Sequence, residues 1–151
     1  PFLWDSKNPA WPVKTTAKPD LIFFDPPYFK KMADHYMKGS ISDFSRPRYL
    51  EFFKNLFSLM KEHSKSTTRM AFLNADFRDF QSSPAMDEDP ENAILVFDYM
   101  KLLEKCGWKI THLIDCPLSS ERFSGNMVSH MQKNRTLGIT RRTLIVGKLD
   151  Q

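Results

Sequence analysis

The apolar positions of this chain come in two alternating kinds of stretch. Leu21-Ile22-Phe23-Phe24 is a short, unbroken apolar run, the mark of a strand buried on both faces. Arg69 to Asn74, built around Met70, Ala71, Phe72 and Leu73, reads as a second strand, Trp108 to Asp115 as a third and Thr143 to Gly147 as a fourth. Between the first two, Tyr49, Leu50, Phe53, Leu56, Phe57 and Met60 recur at the spacing of one buried helix face. Pro47 opens that helix, with Ser45 as its cap. Pro90 opens another behind Asp87, Glu88 and Asp89, which suit the positive end of the helix dipole. Its predicted core face is Ile94, Phe97, Met100 and Leu103, and Gly107 ends it.

This order predicts an α/β fold with a mostly parallel sheet, flanking helices and an antiparallel last strand. The final reversal is expected because Cys116 to Arg142 reads as a long polar loop rather than a crossover helix. Phe29 to Arg46 is a second long loop, basic and longer than most connections. Residues 1–19 hold four prolines and no periodicity, an irregular arm before a domain at 20–151.

Composition narrows the class. At 151 residues with 41% hydrophobic and 13% aromatic content, the chain can bury one real core, and thirteen Phe predict an aromatic one. No apolar run approaches a membrane span and no signal peptide is visible, so a cytoplasmic protein is expected. The chain begins with Pro1 and reads as a piece of something longer. Cys106 and Cys116 lack metal-ligand spacing and read as reduced, buried thiols; no metal is implied. The net charge of +4 is unevenly spread. Residues 29–69 carry nine Lys/Arg against four Asp/Glu, and 119–148 carry six against Glu121 alone. Residues 74–99 reverse the balance, with seven acids against Arg78. Two basic zones flanking an acidic one fit a polyanion-binding face or an ordinary solvated surface.

Asp25-Pro26-Pro27-Tyr28, directly after the first apolar run, carries the candidate chemistry. In open α/β sheets the ligand crevice lies beyond the carboxyl ends of the strands. A residue before proline is pushed to an extended conformation, so Asp25 continues the strand. Two prolines fix φ and remove two amide donors, presenting the Pro26 carbonyl on a stiff loop. The Asp25 carboxylate and that carbonyl are two acceptors, which suits an exocyclic amine with two hydrogens. Accepting both favours pyramidalisation and returns the delocalised lone pair to nitrogen. Tyr28 offers an aromatic face for the base, with Phe29 as a second apolar surface; a base held this way leaves its duplex at about a few kcal/mol. A proline-stiffened turn closing a strand is the plainer alternative.

Asp25-Pro26-Pro27-Tyr28 behind Asp20 to Phe24 resembles the catalytic motif of the amino-methyltransferases that modify DNA at adenine N6 or cytosine N4. Asp in first place resembles the adenine-N6 members. The element order is similar to the second half of their Rossmann-like fold. Ser124 to Val128 and Thr143 to Lys148 resemble the loop and last strand on their target-base side. The resemblance implies methyl transfer from S-adenosylmethionine to a flipped adenine, without metal. It carries over Asp25, Pro26, Pro27 and Tyr28 as catalytic, Tyr28 and Phe29 as base-binding, and Asp25 and Pro26 as a partial cofactor contact. One departure stands out: none of the five glycines is spaced as G-x-G, so the Gly-rich cofactor half is absent from this sequence. The chain is therefore expected to be a catalytic half, inactive alone, with one sheet edge left for self-association or for the arm.

Lys30, Lys31 and Lys38 follow the turn and suit phosphates; Arg122, Asn126, Lys133, Arg135, Arg141 and Arg142 suit them from the second basic zone. Asn74 and Asp76 sit where the second strand ends, at the crevice edge. The expected partners are DNA and S-adenosylmethionine, with a restriction endonuclease as a further one. An RNA adenine-N6 methyltransferase and a non-catalytic nucleic-acid-binding domain that has lost its cofactor half are the alternatives.

Overall fold

The computed structural model describes residue 11 and residues 16–29, 39–76, 94–117, 125–134 and 141–150. Residues 1–10 of the expected arm, and Lys30, Lys31, Lys38, Pro90, Arg122 and Arg135, lie outside the described residues. The elements run β1 (Leu21–Phe24), α1 (Arg46–Glu62), β2 (Arg69–Asn74), α2 (Leu95–Lys105), β3 (Trp108–Pro117), α3 (Gly125–Asn134) and β4 (Arg141–Leu149), with a 3₁₀ turn at Ile41–Asp43 before α1.

The four strands form one sheet in the order β1-β2-β4-β3. β1 and β2 pair in parallel, Phe24 opposite Phe72. β4 runs against both neighbours, Ile145 lying between Phe72 and Leu113. The reversed last strand is as expected, but a mostly parallel sheet is not what forms: one pairing is parallel and two are antiparallel. β3 does run with β1 and β2. The reversed β4 slots between β2 and β3, so its insertion separates two like-directed strands and converts both contacts.

Both long helices lie on one face of the sheet, because each reaches the same side chain. Phe53 of α1 sits 5.3 Å from Phe72, ring centre to ring centre, and Tyr99 of α2 sits 5.0 Å from it. Phe24 stacks on Phe72 at 4.7 Å, and Tyr49, Phe57 and Ile145 complete a core with no exposure. This is the aromatic core that thirteen phenylalanines led one to expect. Trp108 closes its far end, its indole N–H donating to the Phe57 carbonyl at 3.0 Å.

That one-sided cover corrects the reading of β1. Ile22 and Phe24 face the core, but Leu21 and Phe23 are 59% and 60% exposed. The apolar run is a strand with one buried face, at the sheet's edge. Alternation carries Leu73, Leu144 and Ile114 onto the same side as Phe23, facing away from α1 and α2.

Two other expectations need correcting. The core face of α2 is Leu95, Tyr99 and Leu103, while Ile94 and Phe97 are exposed. The helix turns this way because Tyr99, its bulkiest side chain, fills the gap between Tyr49, Phe53 and Phe72. The stretch from Cys116 to Arg142 is not loop throughout: β3 runs on to Pro117, α3 occupies ten residues, and β4 begins at Arg141. Gly107 ends α2 in the left-handed conformation, φ +83°, as glycine alone does without strain. Cys106 is buried as expected, but Cys116 is partly exposed. Among the described residues no helix is long and apolar enough to cross a membrane.

Candidate functional site

Strand direction decides what gathers at one end of the sheet. The carboxyl ends of β1, β2 and β3 meet the amino end of β4 there. Asp25, Asn74, Asp115 and Cys116 thus share an edge with Arg141, Arg142 and Thr143, with Asn74 opposite Thr143 and Cys116 opposite Arg142.

The Asp25 to Tyr28 turn leaves β1 at this edge and is held from below. Tyr49, one turn into α1, donates its hydroxyl hydrogen to the Pro27 carbonyl at 2.9 Å. The Asn74 side-chain amide donates to the Tyr49 oxygen at 3.4 Å, and Asn74 Oδ1 accepts from the Ala75 amide at 2.7 Å. Tyr49 and Asn74 have no exposure, so this chain of bonds is a dry strut from β2 through α1 to the turn. Asn74 is therefore a structural support with both ends of its amide engaged. Asp76 likewise accepts from the Val96 amide at 3.0 Å, tying the loop after β2 to the start of α2. Sequence alone did not separate Tyr49 from the other apolar members of its helix face. Its hydroxyl was the available signal.

Above the strut, the candidate groups differ in accessibility. Asp25 is exposed, Pro26 and Pro27 half-buried. Tyr49 takes the Pro27 oxygen, while no described residue donates to the Pro26 oxygen. Tyr28 is half-buried, and its hydroxyl oxygen is fully buried. Phe29 is only 3% exposed and packs on Tyr49 at 5.2 Å. It belongs to the core beneath the turn and offers no second surface to a base, because it is buried against Tyr49.

The Tyr28 hydroxyl makes no hydrogen bond of good geometry, although Asp25 and Arg142 both stand beside it. Burial pushes its pKa up to about 12; the Arg142 guanidinium opposes the shift and the Asp25 carboxylate adds to it. The same contact with Tyr28 raises Arg142 above its usual value. Deeper in the core, burial holds the Tyr99 phenol well above its ordinary value, with Tyr49 and Asp76 adding to the effect.

The remaining candidates do not converge. Arg141 pairs with Asp115 at 2.8 Å, and Lys133 is exposed on the last turn of α3. Asn126 lies in the first turn of α3, its side chain outside the described residues. The partial cofactor contact assigned to Asp25 and Pro26 has no second wall among the described residues, because β1 is the edge strand and nothing pairs beyond it. None of the family models compared with this chain matches it, and none of the curated proteins does either.

Proposed function

We propose that this chain is the base-activating half of a nucleic-acid amino-methyltransferase, acting on the exocyclic amine of an adenine in DNA. The observation that carries the reading is the division of labour in the turn. The Pro27 carbonyl is bound and braced, while among the described residues none donates to the neighbouring Pro26 carbonyl, and the Asp25 carboxylate is exposed, with the Tyr28 hydroxyl, and Arg142 beside that hydroxyl, at the same edge. Two such acceptors suit an NH₂ group, and holding both its hydrogens turns the nitrogen lone pair outward as a nucleophile. Half-buried Tyr28, its hydroxyl end turned inward, suits stacking by a base removed from its duplex. S-adenosylmethionine would supply the methyl group, held by a cofactor-binding half that this sequence does not contain. The reversed β4, and a β1 edge that pairs with no further strand among the described residues, support a Rossmann-like sheet completed from beyond β1.

The test is methyl transfer to adenine-containing DNA by the full-length gene product carrying this segment. Transfer is expected, and Asp25→Ala is expected to lower it at least a hundredfold, because Asp25 is both an acceptor and an orienting group, with the thermal midpoint unchanged. Full activity in Asp25→Ala would dismiss the mechanism. Equal transfer to RNA would favour the RNA alternative, and binding without any transfer would favour the non-catalytic one.

A further inference from the structure

Two adjacent arginines open β4, and the structure uses them differently. Arg141 is committed to Asp115 at 2.8 Å. Arg142 points to the opposite face by strand alternation, the side of Leu144 and Val146, and makes no ion pair among the described residues. Its Nε is nevertheless buried and without a hydrogen-bond partner. So is the hydroxyl of Tyr28, which approaches from β1 across the end of β2. Buried polar groups are nearly always paired, so two orphans at one edge need an explanation. Both carry a hydrogen to donate; the Tyr28 oxygen stands beside Arg142 and the Asp25 carboxylate beside Tyr28, yet no bond of good geometry forms, and one further oxygen acceptor brought between them would satisfy both.

We propose that Arg142, with the Tyr28 hydroxyl beside it, is a binding site for a phosphate oxygen of the nucleic-acid strand whose base lies on the Tyr28 ring. This rests on the nucleic-acid half of the reading above. A guanidinium matches the oxygens of a phosphate in a planar, charge-assisted pair. The same cation offsets Asp25, whose negative charge would otherwise repel a polyanion arriving at the turn. The Arg141–Asp115 pair is already neutral and adds no such pull.

The experiment is the salt dependence of binding of a short, adenine-containing single-stranded DNA to this chain, read by fluorescence anisotropy. Each phosphate contact on a single strand contributes about 0.7 to the slope of log affinity against log salt. Arg142→Met is expected to weaken binding about tenfold, the loss of one charge-assisted hydrogen bond, and to flatten the slope by about that one contact. Arg142→Lys should keep the slope, and Tyr28→Phe should weaken binding while leaving the slope intact, since it removes a neutral donor. Arg141→Met should leave the slope at the wild-type value.

An unchanged slope in Arg142→Met overturns the site, as does an equal flattening in Arg141→Met. Should Arg142→Met fail to fold, Arg142→Gln decides on the same criteria. Absence of wild-type binding overturns both this site and the reading beneath it. The two fail separately as well. Methyl transfer with an unaltered slope removes only the phosphate site, and a flattened slope with no transfer by the full-length protein removes only the enzyme.

Discussion

Tyr49→Phe is the sharpest probe of the strut under the turn. The substitution keeps the ring, and so the packing against Phe29, Phe53 and Tyr99. It deletes one oxygen, which donates to Pro27 at 2.9 Å and accepts from Asn74 at 3.4 Å. Pro27 is half-buried, so its carbonyl can take up water, and losing that bond should cost about 1 kcal/mol. Asn74 has no exposure, so its amide is left dry; because that bond is long, a further ~1 kcal/mol is expected. The sum of about 2 kcal/mol corresponds, for a domain of this size, to a fall in melting temperature of roughly 4–8 °C. Thermal unfolding followed by circular dichroism measures it, with urea unfolding as a check that the m-value is unchanged. A shift under about 0.5 kcal/mol would refute the strut, since surface-like substitutions fall in that range. A turn loosened in this way should also stack a base less well, so weaker oligonucleotide binding should accompany the lower stability.

Three further outcomes follow from other contacts. Gly107→Ala forces an L side chain to φ +83°, so about 1–2 kcal/mol of destabilisation is expected by thermal unfolding; the nearby Lys61 ammonium is a flexible end that can move aside, and a stabilising result would contradict the assignment. Trp108→Phe removes the bond to the Phe57 carbonyl and part of a buried ring, about 2–4 kcal/mol by urea unfolding, with a loss under ~1 kcal/mol counting against its role as closure of the core. Tyr28 gives a pH signature. Its folded-state pKa is raised from 10.0 to about 12, so the folded chain holds this proton more tightly than the unfolded one, and its contribution, full below pH 10, is lost as pH climbs through 12. Tyr28→Phe should flatten the fall in melting temperature across that window and remove one late phenol ionisation from the absorbance titration. Superimposable curves would exclude the buried hydroxyl.

Much of the secondary structure was legible because local chemistry dictates it. Pro47 behind Ser45 starts α1 whatever packs against it, Gly107 stops α2, and the run at 69–74 matches β2 residue for residue. The turn at Asp25 was legible for the same reason, since prolines restrict the backbone without help from neighbours. Element order likewise foretold an α/β chain and a reversed last strand. Which face of an element is buried was not legible, because it depends on what lies across the gap. Phe97 and Leu103 look alike in a periodicity, and Tyr99 decides between them only once Phe53 and Phe72 are opposite it. Leu21 to Phe24 reads as doubly buried until both helices are seen to choose one side of the sheet. The strut and the Arg142–Tyr28 pair are tertiary in the same sense. Pro27, Tyr49 and Asn74 come from a turn, a helix and a strand far apart in sequence, and only the insertion of β4 beside β2 brings Arg142 to the same edge as Tyr28. Short-range sterics are written in neighbouring residues, whereas the partners of a buried polar group are set by how the layers close over it.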